Sequence, residues 1–322
     1  MSLEVPIDTS AMSFDEKAKE AEVSPVSSVS QQETQDLADQ HHELEQAPTN
    51  TNTIPNTPNL AALESLVVLP KILQEGILLV ASGPALLLQA AHPAVATPSA
   101  NLSKELTSTT HATLSYIACL VFGTKEEKAS LLGRIRIRQA SLESKNPSQS
   151  TLATPAAKLW LVATLYASAT DFYQRVYGGF DYRTAEAAYE EFSLVLRHLS
   201  PTVLPHDSGL WPPSRTGFWK YWDEQVDSLV VSNTAQDVAK DLSTRDLPSG
   251  YGITRPVLRA VTIEMLPETV RNGYGLKSSV VTKSVYAAAL GLIKPVYPCI
   301  PKTWRSGPVK YYLSEVRGEI SS

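Results

Sequence analysis

The chain has few of the residues that build disulfide-bonded, metal-binding or glycine-rich folds. Only two of its 322 residues are cysteine, Cys119 and Cys299, which is too few for a disulfide framework or a cysteine-based zinc site. Only 15 residues are glycine, and no G-x-G-x-x-G stretch occurs, which argues against a Rossmann domain. A P-loop, a G-x-S-x-G elbow and an H-E-x-x-H motif are also absent from the sequence.

An excess of basic residues is lacking as well, because the formal net charge is −5. Residues 1–60 hold 11 acids and 2 bases, and the remainder holds 33 − 11 = 22 acids and 28 − 2 = 26 bases. The chain therefore combines an acidic beginning with a mildly basic body. No field of Lys and Arg dominates the whole sequence, so we expect no nucleic-acid partner.

The first 58 residues are rich in Ser, Thr, Gln, Asn, Pro and acids, and Phe14 is their one aromatic residue. Such a segment cannot bury enough apolar surface to offset the conformational entropy lost on folding. We therefore predict a disordered acidic tail over residues 1–58 and a folded domain over residues 59–322.

Signals for secretion and membrane insertion are not evident. The N-terminus has neither a basic region nor an apolar run, so we expect no secretory signal. The most apolar stretch, Leu60–Ala96, is interrupted by Lys71, Glu75 and Gln89 and broken at Gly83-Pro84, so we expect no transmembrane helix. The expected location is cytoplasmic, and peripheral association with a membrane stays open.

The body of the chain has helical periodicity and no convincing strand pattern. Pro155 predicts the start of a helix that continues to Gly178-Gly179, and Thr124 followed by acids predicts another that runs to about Leu142. Further helices are predicted over 113–122, from 184, and over 216–229, 234–242, 255–266, 267–274 and 282–293. The prolines of 295–301 predict extended chain. The predicted fold is all-α, a single globular multi-helix domain after the disordered tail.

Five segments carry a family resemblance in the same order along the chain. They are E-G-I-L-L-V-A-S-G-P-A-L-L-L-Q-A-A-H-P-A-V-A (75–96), Y-I-A-C-L-V-F-G-T (116–124), L-W-L-V-A-T-L-Y-A-S-A-T-D-F-Y-Q-R-V-Y-G (159–178), F-W-K-Y-W-D-E-Q-V-D-S-L (218–229) and the C-terminal Y-P-C-I-P-K-T-W-R with P-V-K-Y-Y-L. Together they resemble the catalytic domain of the MpaB/rubber-oxygenase family, which includes the latex-clearing proteins. The resemblance extends from about Leu66 to Arg317.

The resemblance implies an all-helical oxygenase that uses b-type haem and O₂ on an apolar substrate. By this analogy the chain would be an oxygenase-like oxidoreductase acting on a hydrophobic isoprenoid or polyketide-type molecule in specialised metabolism. Its partner would be that small molecule, held in an apolar cavity between helices.

The resemblance also assigns site residues. His92 is retained from the family's pattern as a catalytic candidate that would orient or contact a cofactor, a metal or the substrate. Thr113 is a second catalytic candidate, because it matches the Thr of an R-L-x-x-T motif whose Arg position is Thr109. The position of the family's proximal haem ligand falls on Gln139, and Arg136 occupies a position where relatives carry an upstream His. An amide oxygen is a weak ligand for haem iron. Either another residue such as His111 binds the iron, or haem is held weakly, or haem b is absent.

Glu75 is the acid that stands out, because it lies in an apolar stretch. If buried it requires a partner or a raised pKa, so it is a catalytic candidate or one half of a buried ion pair. His92 is likewise either a pocket residue or a hydrogen-bonded core histidine, and Arg136 either pairs with an anionic group or faces solvent. Asp171 and Arg175, four residues apart, are expected to form a helical ion pair.

Three functions remain open at this stage. The first is the oxygenase. The second is a haem-free enzyme that guides cyclisation, isomerisation or dehydration of a hydrophobic intermediate by shape and acid–base groups. The third is a non-catalytic protein that binds a lipid or isoprenoid.

Overall fold

The computed structural model describes residues 60–95, 101–143, 154–199, 210–244 and 255–321, except for the side chains at 138–143 and 321. The tail predicted over residues 1–58 and its boundary with the folded domain lie outside these ranges, so both stay predictions.

The described residues form fourteen α-helices and two 3-10 segments, with no strand among them, which confirms the all-α prediction. In chain order the helices are α1 Ala61–Glu64, α2 Val68–Leu73, α3 Ser82–Ala90, α4 Leu102–Phe122, α5 Lys125–Glu143, α6 Pro155–Tyr177, α7 Tyr182–Leu199, α8 Arg215–Ser228, α9 Asn233–Thr244, α10 Arg255–Met265, α11 Glu268–Gly273, α12 Val280–Val296, α13 Lys302–Arg305 and α14 Gly307–Ser321. The 3-10 segments are Gly76–Ala81 and Tyr297–Cys299. No described helix is long and apolar enough to cross a bilayer.

Local sequence signals fix several helix ends. The Thr154 side chain accepts a hydrogen bond from the Ala157 N–H, and Pro155 occupies the first turn of α6, where its missing N–H costs nothing. Gly178 ends α6 with φ of 99°, a conformation that side-chain-bearing residues rarely adopt. Ser279 and Thr282 form a reciprocal capping box at the start of α12.

Two predicted boundaries are wrong. Helix α4 begins at Leu102, well before the predicted start at 113, so His111 and Thr113 lie inside a helix. The stretch 295–301 is not extended throughout, because Pro295 lies in the last turn of α12 and Tyr297–Cys299 forms a 3-10 turn. Pro295 is tolerated because a proline in the last turn of a helix removes only one backbone hydrogen bond. Pro298 is tolerated because it lies at the start of the 3-10 turn, where the backbone N–H of any residue would lack a partner within the turn.

Helix α3 is the centre of the domain. Every residue from Pro84 to Ala90 is buried, as expected of a helix that is apolar on all sides. Helices α4, α6, α9 and α10 pack around it. A Cβ at Gly83 would collide with the side chain of Thr262 on α10, so glycine permits this close approach.

Buried polar groups tie α3 to its neighbours. The Gln89 amide donates to Thr164 Oγ1 of α6 at 2.8 Å, and its oxygen accepts from Thr110 Oγ1 of α4 at 3.1 Å. Trp160 Nε1 donates to the Leu88 carbonyl at 2.9 Å, and the Tyr274 hydroxyl donates to the Leu87 carbonyl at 2.7 Å. Trp160 and Tyr274 thus supply hydrogen-bond donors to carbonyls near the C-terminal end of α3, which is buried away from water.

We expect Gln89→Leu to lower the free energy of unfolding by about 1–3 kcal/mol, because two buried hydroxyls then lose a partner. Chemical denaturation measures the change. Gln74→Leu is the matched control, because the Gln74 amide bonds only the nearby Lys71 carbonyl at an exposed position. Equal stability of wild type and Gln89→Leu would show that the bridge between α4 and α6 contributes nothing.

Candidate functional site

A cavity of about 110 Å³ lies among the 3-10 segment Gly76–Ala81, α3, α4, α6 and α14. Its walls are mostly apolar, with Leu78, Leu114, Ile117 and Leu165 among the lining residues. Glu75 is the one carboxylate among the described lining residues, and it is only 4% exposed. The cavity is thus an apolar space with a single buried acid in its wall.

Glu75 is held by two residues from distant parts of the chain. Arg305 Nη1 on α13 lies 2.8 Å from each carboxylate oxygen, and the Tyr177 hydroxyl at the end of α6 donates to Oε2 at 2.8 Å. The same Nη1 also donates to the Tyr177 hydroxyl oxygen at 2.8 Å. The Arg305 side chain is itself only 10% exposed. The three side chains therefore form a hydrogen-bonded triad in which Glu75 and Arg305 are nearly buried and Tyr177 is half-buried.

The backbone around Glu75 permits this approach. A Cβ at Gly76 would lie 2.6 Å from the Arg305 carbonyl oxygen and 2.7 Å from a Pro308 ring carbon. The Tyr297 hydroxyl accepts a hydrogen bond from the Ile77 N–H at 3.0 Å, which anchors the chain after α12 beside the same 3-10 segment. Glycine at 76 therefore lets the α13–α14 turn reach the acid.

The electrostatics of the triad favour a neutral phenol beside a charge-compensated carboxylate. Burial, and then the hydrogen bond to Glu75, raise the pKa of Tyr177. Both Glu75 oxygens accept hydrogen bonds from charged or polar donors. Such a group can orient a polar atom of a ligand, and its guanidinium offsets the cost of burying the acid.

Thr113 does not line the cavity, although it is buried. Its hydroxyl donates to the Thr109 carbonyl of the same helix at 2.8 Å. Thr110 and Leu114, its neighbours on α4, are the residues that line the cavity. The predicted catalytic role of Thr113 remains a prediction without a contact to the cavity.

His92 lies just beyond the C-terminal end of α3, and it is not among the residues that line the cavity. Its Nε2 lies 2.9 Å from Gln225 Oε1, and its Nδ1 accepts from the Ala94 N–H at 3.2 Å. The ring stacks on Trp160, with centroids 5.0 Å apart. Burial lowers the pKa of His92, so the ring is neutral at pH 7. Since both nitrogens are engaged, a ligand role for His92 would require one of these bonds to break.

His111 stands behind the cavity wall. Its Nε2 lies 2.6 Å from Glu315 Oε2 on α14, and its ring centroid lies 5.1 Å from that of Tyr312, which does line the cavity. The side chain of His111 is 40% exposed. The structure therefore brings His111 close to the cavity but couples it to a carboxylate on another helix.

The remaining predicted cofactor residues lie on α5. Arg136 is exposed, and the side chain of Gln139 lies outside the described residues. Within the described ranges, no group of three or more His, Cys, Asp and Glu residues is arranged to hold a metal ion. The roles predicted for Arg136 and Gln139 stay predictions.

The described residues around the cavity do not fit haem. No His, Cys or Met is among those lining it, and burial raises the pKa of the one lining tyrosine, Tyr312, which disfavours the phenolate that iron would bind. Cofactor sites commonly occupy several hundred Å³, and this cavity has about 110 Å³.

Two members of the triad were not predicted from the sequence. Arg305 and Tyr177 lie within the quoted family-like segments, but no spacing relates either of them to Glu75. The useful signal in the sequence was Glu75 itself, because a buried carboxylate requires a partner.

The predicted ion pair of Asp171 and Arg175 does form on α6, with 2.8 Å between Asp171 Oδ2 and Arg175 Nε.

The comparison with protein families agrees with the resemblance drawn from the five segments. Residues 70–294 match the profile described as "ER-bound oxygenase mpaB/B'/Rubber oxygenase, catalytic domain". The match covers more than half of the chain, and the chain belongs to this family. The matched range includes Glu75 and Tyr177 and ends before Arg305, so the profile does not extend to the arginine of the triad.

Two curated relatives come from Mycobacterium bovis and Mycobacterium tuberculosis, and both are named only as uncharacterized proteins. Each is 28% identical over 135 residues, which is 41% of this chain and 51% of the relative. The chain thus spans about half the length of the curated relatives it matches. No solved structure shows significant similarity to it.

We expect Arg305→Met to lower the free energy of unfolding by about 3–5 kcal/mol, because it leaves a buried carboxylate without its counter-charge. Glu75→Gln combined with Arg305→Met should cost less than the sum of the two single changes, since the pair is removed together. Chemical denaturation of the three variants measures this coupling. Asp171→Asn, which removes a half-exposed pair, should cost less than about 1 kcal/mol. Strict additivity would contradict the pairing.

His92 should make stability depend on pH. The unfolded chain takes up a proton near the ordinary pKa of 6.5, whereas the folded chain resists it because burial lowers the pKa of His92. The free energy of unfolding should therefore fall as pH drops below about 6.5. His92→Gln should flatten this dependence in denaturation series between pH 5 and 8, while the control His198→Gln on α7 should retain it. Parallel curves for wild type and His92→Gln would refute the expectation.

Proposed function

We propose that this chain is an oxygenase-type oxidoreductase that binds a hydrophobic small molecule, of isoprenoid or polyketide type, in the cavity beside Glu75. The observation that carries the proposal is the apolar cavity with one buried, charge-compensated acid in its wall. Membership of the oxygenase family supports the reaction class, and the lining supports the class of substrate.

The size of the cavity supports recognition of a segment of the substrate. An apolar cavity of about 150 Å³ in another protein stays dry and binds benzene. A cavity of about 110 Å³ is therefore large enough for a branched unit near the size of one isoprene. Leu79 lines the cavity and is also 38% exposed, which gives a longer chain a route to the surface.

The triad would serve as the polar end of this site. Glu75 and Tyr177 offer a carboxylate and a phenol within one hydrogen-bonded group, fixed by Arg305. In the proposed function this group orients a hydroxyl or carbonyl of the substrate, and the apolar walls exclude water from the hydrocarbon part.

A second candidate is a haem-free enzyme that performs acid–base chemistry on the same class of molecule. It is favoured by a specific observation, namely that the described lining residues offer an acid and no His, Cys or Met. In that case Glu75 would exchange a proton with the substrate, and Tyr177 would donate a hydrogen bond to the carboxylate.

The deciding experiment combines the visible spectrum, iron analysis and oxygen uptake of the purified protein, with farnesol and short polyisoprene oligomers as probes. A Soret band, bound iron and probe-dependent oxygen uptake would support the oxygenase. Turnover without iron or oxygen would transfer support to the acid–base enzyme. Binding without turnover would leave a lipid-binding protein, and an absence of binding would overturn the substrate class.

A cavity-filling variant tests the location of the site. Leu114→Trp places a larger ring in the cavity wall, and we expect farnesol binding to weaken by about tenfold or more because the space is occupied. Val230→Trp is the control, since Val230 is 64% exposed and is not a lining residue. Isothermal calorimetry compares the two variants. Unchanged affinity in Leu114→Trp would move the site elsewhere.

A further inference from the structure

Helix α12 carries an apolar face that nothing in the described structure covers. Tyr286 and Leu290 pack inward against a cluster of buried residues formed by Ala81, Phe172, Val176 and Val261. On the opposite side Val281 and Leu292 are exposed, with Leu292 at 69%. Between them the outward positions are Ser284, Ala287, Ala288 and Gly291. The solvent-facing side of α12 is therefore largely apolar, as its inner side is.

The exposed apolar character continues beyond the end of the helix. Val296 is exposed at the end of α12, and Trp304 on α13 is 79% exposed. Tryptophan has an apolar ring system with a polar N–H, and it is enriched where a membrane meets water. We call Val281, Leu292, Val296 and Trp304 together the outward patch.

The charge around the outward patch has one sign. Residues 269–314 contain seven Lys and Arg and neither Asp nor Glu. Lys283 and Lys294 are both exposed on α12, and about three turns separate them, so they lie along the same edge of the apolar face. Lys302 is exposed two residues before Trp304.

Two acids near α12 are engaged at its N-terminal end and on its inner side. Glu264 of α10 accepts hydrogen bonds from Ser278 and Thr282 at the N-terminal end of α12. Asp171 of α6 pairs with Arg175, which in turn donates to the Tyr286 hydroxyl on the inner side of α12. The surface that α12 presents outward is therefore apolar and bordered by lysine.

The chain that carries the end of the outward patch also packs beside the cavity. The Tyr297 hydroxyl accepts from the Ile77 N–H, and Arg305 binds Glu75, so the chain that follows α12 packs on the 3-10 segment lining the cavity.

We propose that the outward patch docks on the surface of a bilayer containing anionic phospholipid. Helix α12 would lie in the plane of the interface, with Leu292 and Trp304 inserted among the acyl chains near the headgroups and Lys283 and Lys294 beside the phosphates. Charge complementarity selects this occupant over a neutral apolar partner. The proposal does not depend on the reaction that the cavity supports.

Co-sedimentation of the full chain with vesicles tests the apolar contact. Wild type should bind vesicles of phosphatidylcholine with phosphatidylserine more tightly than vesicles of phosphatidylcholine alone. Leu292→Glu combined with Trp304→Ser should weaken binding by about tenfold or more. The control pair Val230→Glu and Tyr182→Ser changes equally exposed residues of other helices and loops, and it should bind as wild type does.

A charge reversal tests the electrostatic part. Lys283→Glu with Lys294→Glu should abolish the preference for phosphatidylserine and the loss of binding at high salt. Lys104→Glu with Lys220→Glu is the control, because it makes the same change in net charge at exposed positions of α4 and α8. A blue shift of tryptophan fluorescence on vesicle binding should be present in wild type and absent in Trp304→Leu.

Two results would overturn the proposal. The first is equal vesicle binding, or none, in wild type and in the patch variants, provided that circular dichroism shows all of them folded. The second is a dimer of the wild type in light scattering that the patch substitutions dissociate while vesicle binding is absent, which would assign the face to a second copy of the chain.

Discussion

The burial of α3 is the constraint on which the rest of the domain depends. A helix with large apolar residues on every side is favoured in the interior, and α4, α6, α9 and α10 enclose α3. Enclosure removes water from its carbonyls and from Gln89. Polar partners must then come from the enclosing elements, and Trp160, Tyr274, Thr110 and Thr164 provide them.

The cavity lies at the N-terminal end of α3, where the helices that enclose α3 leave a gap. The chain enters α3 through the 3-10 segment, and α4, α6 and α14 leave space beside it. Glu75 stands at that entrance, where its charge could not persist alone in an apolar wall. Arg305 compensates the charge from more than 200 residues away, so the acid fixes the C-terminal helices against the core.

The same tertiary link joins the site to the surface of the molecule. Because Arg305 and Tyr297 hold the chain after α12 against the 3-10 segment, α12 itself is fixed beside the cavity. A helix in that place can bury only one side. Its other side remains apolar and bordered by lysine.

The sequence by itself determined the helical class, several helix ends and the family, because periodicity, Thr154 with Pro155 and five ordered segments are local or linear features. It also marked Glu75 as an acid in need of a partner. Only the tertiary structure decided that Arg305 and Tyr177 are the partners and that His92 stacks on Trp160 outside the cavity. These pairings join positions that no helical period relates, so they arise only when the helices pack around α3.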